Sequence, residues 1–88
     1  MNLEVLVIIK LTKQVNALES ILSRLNEKIE KLEEKQLKIE LPANERERDM
    51  TDTEQERYDR LQDKIDELMD EKVNIECAIR YLQEYTEG

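Results

Sequence analysis

The chain of 88 residues has no histidine, tryptophan or phenylalanine, and only one cysteine, one glycine and one proline. A single cysteine cannot form a disulfide within the chain, which excludes the small secreted folds that disulfides hold together. Without histidine, the commonest general base and metal ligand are both missing. We therefore predict that the protein is not an enzyme and that it holds neither a metal nor another cofactor.

The chain also has no long apolar run. Its most apolar stretch, residues 3–11, is interrupted by Glu4 and Lys10. This stretch is shorter than the ~20 residues that a membrane-spanning helix needs. It also lacks the basic start and the cleavage site of a signal peptide. We expect a cytoplasmic protein that does not bind membranes.

Charge is abundant, and most of it is negative. Asp and Glu number 22 against 14 Lys and Arg, which gives a net charge of −8. Charged residues make up 41% of the chain, and this composition with so few helix breakers is typical of long helices and coiled coils. The negative balance argues against direct binding of nucleic acid, because phosphates would be repelled.

Apolar residues recur every three or four positions in two segments, as they do in coiled coils. The core positions predicted in the first segment are Ile8, Leu11, Val15, Leu18, Leu22, Leu25, Ile29, Leu32, Gln36 and Ile39. Those predicted in the second are Glu54, Tyr58, Leu61, Ile65, Leu68, Lys72, Ile75, Ile79, Leu82 and Thr86. Lys72 either sets the register of the helices or extends its ammonium to solvent along an apolar surface.

A break separates the two segments. Pro42 disfavours helical geometry in the residue before it, and two overlapping capping boxes, at Thr51 and Thr53, indicate a helix start. We predict an all-α protein with one helical-hairpin domain over residues 1–88. Helix 1 covers about 3–40, the loop about 41–51 and helix 2 about 52–86. The alternative is a parallel dimer in which the loop is a hinge.

An antiparallel coiled-coil hairpin could pair its helices in two registers. If the numbers of facing residues sum to 90, Ile8 faces Leu82 and nearly every layer is apolar. If they sum to 97, Gln36 faces Leu61 and Ile8 has no useful partner. Lys72 faces an apolar residue in both. The sequence favours the sum of 90 because it keeps more layers apolar.

Apolar residues outside the core positions concentrate at the open end of the hairpin, where the two chain termini lie. Two hairpins could bury these residues by forming a homodimer, a four-helix bundle. The residues predicted to mediate self-association are Leu3, Val5, Leu6, Val7, Ile9, Ala78, Tyr81 and Tyr85. No histidine can activate Cys77, and we interpret it as a small, partly buried residue of that interface.

The excess negative charge lies in the second half of the chain. Residues 1–44 carry seven basic and seven acidic side chains, whereas residues 45–88 carry seven and fifteen. Along helix 2 the acids step by three or four, which places them on one outward side. We name this the acidic face: Asp52, Glu56, Asp59, Asp63, Asp66, Glu67 and Asp70. Such a face either binds a basic partner or only keeps the protein in solution.

Two functions follow from these features. The first is a non-enzymatic inhibitor whose acidic face occludes a basic, nucleic-acid-binding surface of a protein partner. In size and charge the chain resembles small acidic helical proteins of mobile elements. The second is a coiled-coil adaptor, assembly factor or small chaperone that uses the apolar open end. In outline the chain also resembles the RNA-binding hairpin dimers of plasmid copy control, but its net charge and missing basic face argue against that function.

Overall fold

The computed structural model describes residues 2–87, and the side chains of residues 2–85. Two α-helices, α1 at Leu3–Glu45 and α2 at Asp52–Glu87, fill most of this range, and residues 2–87 contain no strand. The helices pack along each other as an antiparallel hairpin, a rod of 67 × 16 × 15 Å. The predicted all-α helical hairpin is confirmed.

The core is a single line of side chains between the two helices. Its most buried apolar residues are Val15, Leu25, Ile29, Ala43, Ile65 and Ile79. All but Ala43 are predicted core positions, and Ala43 lies one heptad beyond Gln36, which is also buried. Among the other predicted core positions only Ile8 is exposed, while the side chain of Thr86 lies outside the described residues.

Side-chain caps begin both helices. The Oδ1 of Asn2 accepts a hydrogen bond from the Glu4 N–H at 3.0 Å. Before α2, the Thr51 hydroxyl accepts from the Glu54 N–H at 3.2 Å, and the Glu54 carboxylate accepts from the Thr51 N–H at 3.0 Å. This reciprocal pair is the first of the two predicted capping boxes. It starts α2 at the predicted residue.

The end of α1 differs from the prediction. The helix continues through Pro42 to Glu45, so the loop covers residues 46–51 instead of about 41–51. A proline inside a helix removes one backbone hydrogen bond. Ala43, only 2% exposed, adds a further buried layer to the core, which favours the longer helix.

A Schellman motif closes α1. The Arg48 N–H donates to the Ala43 carbonyl and the Glu47 N–H to the Asn44 carbonyl, both at 3.1 Å. The motif places Glu47 in the left-handed region with φ of 50°. This conformation costs a residue with a Cβ atom about 1 kcal/mol.

Glu47→Gly should therefore stabilise the hairpin. Glycine adopts positive φ without the steric penalty, and we expect the free energy of unfolding to rise by about 0.5 kcal/mol after the greater freedom of glycine in the unfolded chain is included. Urea unfolding followed by circular dichroism measures the change. Glu45→Gly, in the last turn of α1, is the control and should be destabilising. Equal effects at the two positions would contradict the role of the left-handed turn.

The short loop also sets the register of the helices. With α1 ending at residue 45 and α2 beginning at residue 52, the numbers of facing residues sum to about 97. Two contacts between the helices agree, in pairs whose numbers sum to 98. Gln36 Nε2 donates to Gln62 Oε1 at 3.0 Å, and the Tyr58 hydroxyl donates to the Glu40 carboxylate. The predicted sum of 90 is wrong.

One consequence of this register concerns Lys72, which falls opposite Leu25. Its ammonium lies 4.0 Å from the Glu76 carboxylate, and its side chain is partly exposed. The stem thus covers the apolar layer while the charge reaches the surface. Of the two interpretations offered for Lys72, the second describes the structure.

The other consequence is at the open end. In this register Lys10 lies level with Glu87, so the preceding turns of α1 extend past α2. We name residues 3–9 the open-end segment. Ile8, predicted to be in the core, is 44% exposed for this reason.

Candidate interaction surfaces

The acidic face lies on the outer side of α2. All seven of its residues are exposed, as the sequence pattern predicts. Among the described side chains none of the seven forms an ion pair, and Asp59 and Asp66 accept hydrogen bonds from the neutral amides of Gln55 and Gln62 at 2.9 Å. The face therefore keeps its negative charge along roughly 27 Å of helix.

The basic side chains gather on a different side of the rod. Seven of them, half of the chain's fourteen, line a groove between the two helices. We name it the basic groove, and its cations are Lys28, Lys31, Lys35, Lys38, Arg57, Arg60 and Lys64. Its floor is apolar and consists of Leu32, Ile39, Leu61 and Leu68. Within the described part of the chain, no carboxylate lines it.

The prediction that the chain has no basic face is therefore wrong. Lysines of α1 step by three and four from residue 28 to 38, and cations of α2 do so from residue 57 to 64. Each series marks one side of its helix. The antiparallel pairing brings the two series together on the same side of the core. A net charge summed over half of the chain cannot reveal this, because acids on the other side of each helix cancel it.

A hollow on the opposite side of the helix pair contains two carboxylates. Glu33 and Glu40 line it together with Gln36 and Tyr58. The hydrogen bond that the Tyr58 hydroxyl donates to Glu40, together with partial desolvation, raises the pKa of Tyr58. This hollow thus carries two carboxylates, in contrast to the cations of the basic groove.

The open end exposes apolar and aromatic surface. All eight residues predicted to mediate self-association are exposed, and Leu3 is 79% exposed. Leu3, Val7 and Ile8 line a shallow hollow with Tyr85. The rings of Tyr81 and Tyr85 meet edge to face at 5.2 Å, and the hydrogen bond between their hydroxyls, 3.1 Å long, raises the pKa of Tyr81.

An exposed apolar row on α2 leads to this end. Every fourth residue belongs to it: Met69, Val73, Cys77, Tyr81 and Tyr85. Rows with this spacing form the ridges that pack into the grooves of a neighbouring helix. Cys77, predicted to be partly buried in an interface, is exposed in the single hairpin. The predicted set omits Met69 and Val73, although the i, i+4 spacing indicates them.

An ion pair braces the turn between the helices. Arg48 Nη1 and Nη2 donate to Glu54 Oε1 and Oε2 at 2.8 and 3.3 Å, and Nη1 also donates to the Asp49 carbonyl at 2.9 Å. The hydrogen bond from Arg48, followed by that from the Thr51 N–H, lowers the pKa of Glu54 to about 2. The ionised carboxylate thus holds the turn and the cap of α2 together.

Acid should therefore loosen the turn. Because the pKa of Glu54 is lower in the folded chain than its ordinary 4.5, its ionisation favours folding above that value. This contribution is lost as the pH falls from about 4.5 to about 2. Circular dichroism melts across this range should show a falling Tm. Glu54→Gln should remove the part of the fall in Tm that comes from Glu54. Glu56→Gln, at an exposed position without an ion pair, should leave that part of the fall unchanged.

Neither helix contains, over the residues described, an apolar stretch long enough to cross a membrane. In the same part of the chain, no three His, Cys, Asp or Glu side chains are grouped so that they could hold a metal ion. Comparison with protein-family models, with curated proteins and with solved structures gave no match. The acidic face, the basic groove and the open end are therefore the features from which a function can be inferred.

Proposed function

We propose that the protein is a non-enzymatic interaction module whose acidic face binds a basic surface of another protein. The supporting observation is the separation of charge across the rod. Seven cations lie in the basic groove, so the seven carboxylates of the acidic face stay exposed without an ion pair among the described residues. Like charges one helical turn apart repel each other, and a basic partner would relieve this repulsion.

The partner surface that we propose is one that binds nucleic acid. Carboxylates three or four residues apart recur about every 5 Å along a helix, and phosphates recur about every 3.4 Å along the axis of one strand. A rigid helix with such a face could occupy a phosphate-binding groove and act as an inhibitor. We propose the cytoplasm as its compartment, where the exposed thiol of Cys77 stays reduced.

Replacing Asp59, Asp63, Asp66 and Asp70 by asparagine tests this function. We expect helix content to be unchanged and binding of a basic partner, captured from the native cell by the tagged wild-type chain, to weaken by roughly tenfold or more. The salt dependence of binding should flatten, since fewer screened charge contacts remain. Titration calorimetry at two salt concentrations with the purified partner measures both effects.

The control changes the same amount of charge on α1. It replaces four exposed glutamates by glutamine, and these are Glu19, Glu27, Glu30 and Glu34. This variant should bind the partner within about twofold of the wild type, because long-range charge alone contributes little at physiological ionic strength. If both variants bound the partner as tightly as the wild type, the acidic face would serve only to keep the protein in solution.

A second function, as an adaptor or assembly factor, is favoured by the open-end segment. We propose that two hairpins overlap at their open ends into a homodimer with a four-helix bundle at the overlap. Each open-end segment would lie against the partner's α2, where the apolar row of α2 supplies a ridge for packing. The open-end segment exposes apolar side chains, and three of them line a hollow with Tyr85; this uncovered apolar surface is the reason for proposing a second copy.

A further inference from the structure

Neither of the two proposed functions involves the basic groove. Ile39 and Leu61 are core residues that are only half-buried, and their outer surfaces form the floor of a groove of about 450 Å³. The groove continues over Leu32 and Leu68. Cations from α1 line one rim and cations from α2 the other. The surface is thus apolar along its middle and positive along both edges.

The seven cations of the groove have no ion-pair partner within the described part of the hairpin. Four of them lie between Lys28 and Lys38, within about 15 Å of α1. Like charges so close together repel one another, and an anionic ligand would relieve this repulsion.

We propose that the basic groove is the docking site of an acidic amphipathic helix from another protein, packed as a third helix along the hairpin. Two antiparallel helices leave a lengthwise groove into which a third helix fits at the usual separation of roughly 8–10 Å between axes. An apolar stripe on that helix covers Ile39 and Leu61. Carboxylates on both flanks of the stripe pair with the two cationic rims.

The length of the groove determines how long the docked part of the ligand helix is. A stretch of about 15 Å corresponds to ten or eleven helical residues, which is three turns. The docked helix therefore has apolar residues at positions i, i+3, i+4 and i+7, with Glu or Asp on both sides of them. The acidic face of a second copy does not meet this description, because carboxylates, among them Asp63 and Asp70, occupy its middle, where the apolar stripe would have to lie.

Nucleic acid is the other polyanion that such cations attract, but it fits the groove less well. Phosphates would contact the rims and leave the apolar floor uncovered. The floor has no aromatic side chain on which a base could stack. The net charge of −8 also repels a polyanion that extends beyond the groove. A short amphipathic helix would cover the apolar floor and pair its carboxylates with the cations of both rims.

A designed peptide tests the proposal. The probe is a fluorescein-labelled helix of about 18 residues, with leucine at the i, i+3, i+4 and i+7 spacing and glutamate on both flanks. A scrambled peptide of the same composition lacks the apolar stripe. Fluorescence anisotropy with the full chain should show saturable binding of the probe, weakened by salt, and at least tenfold weaker binding of the scrambled peptide.

Two variants locate the binding. Lys38→Glu combined with Arg60→Glu reverses an exposed charge on each rim and should weaken probe binding at least tenfold. Lys10→Glu combined with Lys13→Glu makes the same change of net charge at exposed positions near the open end and should change it by no more than about twofold. Circular dichroism confirms that both variants keep their helix content.

Three results would overturn the proposal. Equal loss of binding in the two double variants would show attraction by net charge without a site. Tighter binding of a short RNA duplex than of the probe, lost in the Lys38→Glu and Arg60→Glu variant, would make nucleic acid the ligand. Dissociation of a wild-type dimer by that same variant, measured by sedimentation, would make a second copy of the chain the occupant.

Discussion

Replacing Ile65 by alanine is expected to lower the free energy of unfolding by about 3 kcal/mol, well above the ~1 kcal/mol that is typical of a point substitution. Ile65 is 2% exposed, and no large side chain among the described residues is more fully buried. The cavity left behind cannot be filled from a second layer, because the hairpin has a single line of core side chains. For a chain of this size, the Tm should fall by roughly 12–24 °C.

Urea and thermal unfolding followed by circular dichroism measure this loss. Ile21→Ala is the matched control, since it removes the same atoms from a side chain that is 43% exposed. Its effect on the free energy of unfolding should stay within about 0.5 kcal/mol. Similar losses at the two positions would mean that Ile21 is also buried in solution, against a third helix or a second hairpin.

The line of core residues was predictable because the spacing of the apolar residues alone places them on one side of each helix. A residue such as Ile29 or Ile79 is buried in any antiparallel pairing of these two helices, whatever faces it. The start of α2 was predictable for a similar reason. The capping box at Thr51 is a local interaction within four residues, and it does not depend on the partner helix.

The register and the end of α1 were predicted wrongly, and both errors have one source. Pro42 is a helix breaker when local preferences act alone. In the folded hairpin α1 nevertheless continues through Pro42 to Glu45, with Ala43 buried, and this extension shifts the pairing by a heptad. Counting apolar layers favoured the other register. That count omitted the added layer at Ala43 and the Schellman motif, which satisfies the carbonyls of Ala43 and Asn44.

The candidate surfaces differ in how far the sequence predicts them. All seven carboxylates of the acidic face belong to α2, so the period of a helix alone predicts that they lie on the same side. The basic groove draws its cations from both helices, and only the pairing of α1 with α2 joins them. The open-end segment has its full exposure because the register leaves it beyond α2, whereas the predicted sum of 90 would have covered it.

Val5→Glu is expected to convert a self-associating wild-type chain into a monomer. Val5 lies in the open-end segment, and the proposed dimer would bury its side chain against the α2 of the second copy. An unpaired carboxylate placed there costs several kcal/mol. The dissociation constant of the dimer should therefore rise by about a hundredfold or more, since each 1.4 kcal/mol corresponds to a factor of ten.

Sedimentation equilibrium over a range of protein concentrations measures the change. Leu37→Glu is the control, since it introduces the same charge at an exposed apolar position far from the open end and should leave the dimer intact. Helix content should persist in the Val5→Glu variant, because the open-end segment makes no contribution to the line of core residues below it. A wild-type chain that stays monomeric at tens of micromolar, a concentration typical of weak interfaces, would exclude assembly through the open end and leave its apolar residues available for a different protein.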